Sequence, residues 1–260
     1  MLAELSAAMR TVGACILECR ARGQTDGIWE GTQFKAVADL ISDECMRNEL
    51  RAIDDVPIVS EEDAKSQIHV RPARYWLIDP IDGTASFAQG FSGFVCQAAY
   101  VENGMVQFSA VNAPALGRTY SAGRGRGAQL NGEALKTRTI ASGHIVLVDN
   151  YPEPRGMAEQ LFRGLPCARY VESGSIGLKI CLVADGSADL FVKDVTVRDW
   201  DVAAPALILA EAGGVLRRFD NQEFRLDGCY EKKGLIAAAS SRLLKEVAAF
   251  TKYSGIKDDA

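Results

Sequence analysis

Two unlike halves are predicted for this chain of 260 residues: α+β over residues 1–135, then α/β over 136–260. Three observations predict this. Two amphipathic helical patterns precede a run of strand-like segments. Near residue 136 the pattern changes to short apolar runs alternating with helical segments. Acidic motifs stand at the ends of apolar runs in both halves.

Residues 2 to 20 form the first helical pattern, with Leu5, Met9, Val12, Ile16 and Cys19 recurring on one face. Gly23 to Gly31 reads as a polar, Gly-rich break. The second helical pattern covers 36 to 52, with Val37, Leu40, Ile41, Cys45 and Leu50 on one face. Strand-like runs follow at 56–59, 75–79, 93–101, 105–112 and 118–121, and the turn Glu102-Asn103-Gly104 makes a hairpin of two of them. Gly123 to Gly127 is read as a flexible hairpin tip, its two arginines solvated. In the second half, strands at 145–148, 168–171, 188–192, 214–218 and 234–239 alternate with helices at 157–163, 176–185, 200–212 and 240–251.

Composition narrows the class. Hydrophobic residues make up 48% and charged residues 24%, as in an ordinary soluble enzyme. No stretch approaches the roughly 18 to 20 apolar residues of a membrane span, and Met1 to Leu5 lacks the basic, apolar start of a secretory signal. The expectation is a cytoplasmic protein with no membrane partner. A net charge of −5 gives no electrostatic case for a nucleic-acid polymer. The seven cysteines are scattered, with no zinc-like spacing, and read as small buried hydrophobes in a reducing compartment.

The most informative run is Trp76-Leu77-Ile78-Asp79-Pro80-Ile81-Asp82-Gly83-Thr84, an apolar strand ending in two carboxylates and a Gly-Thr turn. Convergent hard oxygen donors suit Mg²⁺, which favours carboxylates and substrate phosphate. Gly83 and Thr84 offer backbone N–H groups and a hydroxyl at a turn suited to an anion. Upstream, Val56 to Glu62 is a second apolar strand ending in paired acids. Downstream, Asp199-Trp200-Asp201 opens a long apolar helix. One such acidic end is an ordinary solvated turn or helix cap; here the 76–84 run is half of a metal-assisted phosphatase site and the other two ends complete it.

These motifs, with Gly127-Ala128-Gln129-Leu130-Asn131-Gly132 and Glu211-Ala212-Gly213-Gly214, resemble the inositol monophosphatase-like family of Mg²⁺-dependent, lithium-sensitive phosphatases. The resemblance runs from about residue 35 to 240. It implies a layered α-β-α-β-α sandwich, a homodimer, and hydrolysis of a small phosphorylated substrate by metal-activated water. It matches Glu61 and Asp79, with the Ile81 carbonyl, to the ligands of a first metal. Asp79, Asp82 and Asp201 match those of a second. Thr84 and Asp39 match the pair that orients the attacking water, Asp39 beside a third, weaker metal position. Gly83 and Thr84 match phosphate contacts. Phe34 to Asp39 lacks the Val-Thr-x-x-Asp common in the family, so Asp39 also reads as a plain polar residue of the second helix. Pro205 stands where the family usually has glycine. It either interrupts the helix just after Asp201 or lies in a first turn that begins later.

The substrate is divided between two resemblances. Asp194 matches an acid that binds inositol hydroxyls, and carboxylates accept well from vicinal hydroxyls. Lys179, within Gly177 to Ala184, resembles a pattern of the 3'(2'),5'-bisphosphate nucleotidases, where a lysine could reach a second phosphate. A polyol phosphate is the preferred reading and a nucleoside bisphosphate the alternative. A catalytically decayed metal- and phosphate-binding regulatory protein is the alternative of another class.

Overall fold

The computed structural model describes residues 1–30, 33–139 and 144–253. Helix α1 (Leu2–Ala21) leads through strands β1 (Gly27–Glu30) and β2 (Gln33–Ala36) to α2 (Val37–Ile53). Strands β3 (Ile58–Ser60) and β4 (Arg74–Asp82) follow, then the short helix α3 (Thr84–Ala88). Next come β5 (Val95–Glu102), β6 (Met105–Ala113), β7 (Arg118–Gly123), β8 (Ala128–Leu130) and β9 (Glu133–Leu135). The second half runs β10 (Ile145–Asp149), α4 (Gly156–Gly164), β11 (Cys167–Glu172), α5 (Ile176–Ala184) and β12 (Leu190–Arg198). It ends with α6 (Asp199–Glu211), β13 (Val215–Arg218), β14 (Glu231–Ala238) and α7 (Ser241–Tyr253).

The strands from β3 to β9 lie side by side in chain order in a seven-stranded sheet. The others, apart from the β1–β2 hairpin, form a five-stranded sheet ordered β11-β10-β12-β14-β13. Helices α1 and α2 cover one face of the larger sheet, α5 and α6 lie between the sheets, and α4 and α7 cover the far face of the smaller one. The result is the expected α-β-α-β-α layering. Because both faces of β4 are covered, its run from Tyr75 to Asp82 is buried throughout. Tyr75 and Leu77 point into the core shared with α5 and α6, and Trp76 and Ile78 into the core under α1 and α2.

Two local expectations are corrected. The break read over Gly23 to Gly31 contains β1, whose antiparallel pairing with β2 closes a hairpin; Gly31 lies outside the described residues. Nor is the 123–127 tip loose: the Glu211 carboxylate accepts from the N–H groups of Gly125 and Gly127 at 2.8 and 2.9 Å. Arg124 donates to the Val106 carbonyl at 2.8 Å, and Arg126 lies over the Phe108 ring.

Helix α6 settles the place of Pro205. The helix begins at Asp199, so the proline is interior, not in a late first turn. Its ring has no N–H to offer the Asp201 carbonyl. An interior proline costs about 3 kcal/mol. Its restriction of the unfolded chain returns about 1 kcal/mol, and its buried ring about another. Pro205→Ala is therefore expected to stabilise the protein by about 1 kcal/mol, raising Tm by about 2–4 °C in a thermal melt. An unchanged or lowered Tm would show that the packed ring outweighs the lost bond.

Candidate active site

The site is built around an irregularity in β4. Asp79 pairs with Gln97 of β5, and Asp82 pairs with Val95. Three steps along β4 thus match two along β5, a one-residue bulge centred on Pro80, which has no N–H to continue the ladder. In a regular strand, residues three apart face opposite sides. The extra residue turns Asp82 to the side of Asp79, which is also the side of Leu77 and Val95 facing the middle helices.

Two neighbours bring further acids to that point. Strand β3 runs parallel to β4 with Ser60 opposite Ile78, so Glu61 emerges beside Asp79. Helix α6 supplies Asp201 from its first turn, with Asp201 Oδ2 accepting from the Arg198 N–H at 2.7 Å. One carboxylate oxygen from each of Glu61, Asp79 and Asp201 lies within 4.8 Å of the others. Burial, together with the neighbouring carboxylates, pushes Asp79 and Asp201 well above the usual carboxylate range and Glu61 up to about 7.

This trio fits a hard cation. Asp79 is 1% exposed, and among the described residues its Oδ1 has no hydrogen-bond partner while Oδ2 accepts only a long bond of 3.4 Å from Gln97. A buried carboxylate oxygen without a donor is costly unless a cation or a proton occupies it. An all-oxygen donor set selects Mg²⁺, Ca²⁺ or Mn²⁺ over softer metals.

Asp82 stands beside this trio and is engaged elsewhere. Its carboxylate accepts from the N–H groups of Gly177 at 2.6 Å and Ile176 at 3.3 Å, at the N-terminus of α5. Burial raises its pKa, opposed by those amides and by the Lys179 charge. A Cβ at Gly177 would come within 2.5 Å of Gln97 Oε1 and 3.0 Å of Asp82 Oδ2, so a larger residue would displace these side chains. Thr84 Oγ1 lies 3.2 Å from Asp39 Oδ1 and 3.0 Å from the Ile81 carbonyl, so its proton serves one of these acceptors. Asp39 is buried on α2 against Thr84, so it is not a solvated polar residue of that helix.

A cavity of about 620 Å³ opens over these groups. Glu61, Glu62, Asp79, Ile81, Asp82, Gly83, Thr84 and Asp201 line it, opposite Ile176, Val195, Thr196, Arg198 and Glu231. The two expected substrate-side residues lie differently. Asp194 is exposed at an irregularity of β12, next to the lining residues Val195 and Thr196. Lys179 is fully buried and donates to Asn150 Oδ1 and the Gly174 carbonyl, with Phe191 beneath its ammonium. A larger groove of about 720 Å³ lies along the other end of α6, where Glu223 is already taken by Arg225 and Glu211 by the glycine turn.

Sequence reasoning did not single out Gln97, Arg198 or Glu231. Gln97 carries a usable signal, a polar residue inside the apolar run Val95 to Val101. Arg198 and Glu231 become neighbours only through the β12–β14 pairing.

The Inositol monophosphatase family profile matches residues 2–253. A Thermotoga maritima fructose-1,6-bisphosphatase/inositol-1-monophosphatase is 35% identical over 208 residues, 77% of this chain and 78% of that protein. A 3'(2'),5'-bisphosphate nucleotidase CysQ from Aggregatibacter actinomycetemcomitans is 33% identical over 69% of this chain and 70% of its own. A Nus factor SuhB from Pasteurella multocida is 33% identical over 66% and 65%. The solved structure of a Thermotoga maritima IMPase superposes with a TM-score of 0.81 at 28% identity, covering 95% of both chains.

The crowded carboxylates make stability depend on pH and on metal. Their pKa values are raised on folding, so the folded chain holds protons that the unfolded chain has released. Their contribution is complete below the ordinary carboxylate range and is lost as pH rises through about 7, the Glu61 value. In chelator, Tm should fall between about pH 5 and about pH 8. Mg²⁺ should raise Tm more at the upper pH, because it takes the place of the protons. An equal Mg²⁺ shift at both values would contradict this account of the trio.

Proposed function

The chain belongs to the inositol monophosphatase family, and from that premise we propose that it is a Mg²⁺-dependent phosphatase acting on a small polyol phosphate monoester. The observation that carries this is the convergence of Glu61, Asp79 and Asp201 on one point beneath the cavity, with an Asp79 oxygen left unpartnered. Those three would hold the metal, with Asp82 and the Ile81 carbonyl alongside. Mg²⁺ bound there supplies charge for the phosphoryl oxygens and leaving group and makes water a better nucleophile near neutral pH.

The remaining work falls to the chain itself. When Thr84 donates its proton to Asp39, its oxygen keeps lone pairs free to accept from the attacking water. Asp39, buried behind it, is the acceptor that orients the hydroxyl and favours proton transfer away from the water. Gly83, Thr84 and Ala85 line the cavity wall where the phosphate would lie. The presence of Glu61, Asp79, Asp82, Thr84 and Asp201 together supports turnover over binding alone.

The substrate reading rests on where the cations are. Lys179 is buried with its ammonium bonded to Asn150 and Gly174, which leaves it no reach to a second phosphate. That weakens the nucleoside bisphosphate alternative and favours a leaving group rich in hydroxyls, with Asp194 at the cavity edge. A second reading has its own support. Arg198 lines the cavity, 3.4 Å from Glu231, and could release that partner to hold a second phosphate of a sugar bisphosphate.

Phosphate release should be measured with Mg²⁺ from inositol 1-phosphate, fructose 1,6-bisphosphate and adenosine 3',5'-bisphosphate in parallel. The inositol ester is expected to be preferred, and Asp79→Asn to lose more than the roughly 10- to 100-fold typical of groups that only support metal ligands. A sugar bisphosphate preference abolished by Arg198→Ala would establish the second reading. Turnover by Asp79→Asn at near wild-type rate would refute the metal mechanism.

A further inference from the structure

Asp199 has no part in the chemistry above, yet it is fully buried as the first residue of α6, two positions before Asp201. Its Oδ2 accepts from Arg71 Nη2 at 2.5 Å, and Lys232 Nζ lies 3.6 Å from its Oδ1. Arg71 donates from Nη1 to the Tyr75 hydroxyl at 3.2 Å and stacks 4.1 Å from the centre of the Tyr230 ring. The Asp199 N–H donates to the Tyr230 carbonyl at 2.9 Å.

These contacts join the two sources of the acidic trio. Arg71 belongs to the segment that leaves β3 through Glu61 and returns to β4. Tyr75 lies at the start of β4, which carries Asp79. Asp199 opens the helix that carries Asp201. The ion pair is therefore a direct bond between the part of the chain holding Glu61 and Asp79 and the part holding Asp201. Burying such a pair costs heavily in desolvation, and apolar groups of equal volume often serve stability as well. A geometric role accounts better for a pair that joins the two sources of the trio.

We propose that Arg71 and Asp199 are positioning residues, whose ion pair holds Asp201 against Glu61 and Asp79 and so sets the affinity of the trio for Mg²⁺. This rests on the metal-dependent reading above. Groups bonded directly to metal ligands typically change metal affinity by about 10- to 100-fold when removed, and a pair that acts through the backbone belongs at the lower end of that range.

The test is calorimetric titration of Mg²⁺ into the metal-free full chain, for the wild type, Arg71→Gln, the double variant Arg71→Gln/Asp199→Asn, and Asp79→Asn. The double variant keeps neutral hydrogen-bonding groups and leaves no buried charge from this pair unmatched, so it guards against a variant that simply fails to fold. Its expected Mg²⁺ Kd is about tenfold or more above wild type. The Mg²⁺ concentration for half-maximal phosphate release should rise by the same factor while kcat at saturating Mg²⁺ is retained. A merely structural pair would lower Tm without moving Kd. Equal Kd in the wild type and double variant, with Asp79→Asn impaired, overturns the clamp alone. Absence of Mg²⁺ binding in the wild type, or binding by Asp79→Asn equal to it, overturns the metal reading and the clamp with it.

Discussion

Mutual repulsion among buried carboxylates is the constraint around which the structure is arranged. Glu61, Asp79 and Asp201 bring like charges within 4.8 Å at the floor of the cavity, with Asp79 buried and the other two partly so. Left alone, such a group would hold protons or push its parts away from one another. The fold resists the second outcome by fixing each acid to a rigid element: the end of a buried strand, the end of its parallel edge neighbour and the first turn of an interior helix. What remains is a demand for positive charge at one place. Metal binding answers that demand, and preorganised repulsion is what makes the site wait for a cation.

Holding the acids of the larger sheet against the middle helices needs backbone contact between the two halves. Gly93 and Gly174 supply it. A Cβ on Gly174 would fall 2.1 Å from the Gly93 carbonyl, which already accepts from the Ser175 N–H at 2.6 Å. Ser175 then caps α5, its hydroxyl accepting from Leu178 N–H at 3.0 Å, and the next two amides turn to Asp82. A single crossing of two glycine backbones thus sets the start of a helix and, through it, the position of an acid on the other sheet. The lysine in that helix belongs to the same construction. Lys179 bonds the Gly174 carbonyl and Asn150, bracing the crossing from behind.

Much of this was legible in the residues. The helices from Leu2 and Val37, the strand from Tyr75 and the hairpin at Asn103 each follow a local pattern, and the acids at strand and helix ends announce a metal-assisted site. Less legible were features decided by pairing across the sheet. The convergence of Asp79 and Asp82 is expected from the sequence, but its cause is not, since residues three apart on a regular strand face opposite sides. Only the register against Gln97 and Val95 shows the extra residue that makes them share a face. The β1–β2 hairpin hid inside a segment whose glycines suggested a break. Lys179 looked available to a substrate because an apolar helix does not reveal which sheet will cover its one charge. Arg71 gave no signal, for its partner lies 128 residues away.

Helix α6 shows how these constraints are reconciled. It lies between two sheets, with Val202, Leu207, Ile208 and Leu209 buried in the shared core and small residues at Ala203 and Ala204 admitting close packing. Its stability comes from that burial more than from propensity, as is general for interior helices. A proline at its seventh position is therefore tolerable. The missing bond lies downstream of the first turn, where the free N–H groups are. Those first-turn amides matter for the site. Helices α5 and α6 both direct N-termini toward the acids, α5 at Asp82 and α6 with Asp201 in its first turn. Their dipoles place partial positive charge where the carboxylates crowd. The middle layer thus offsets part of the repulsion that the strands create, leaving the trio unsatisfied enough to need a cation.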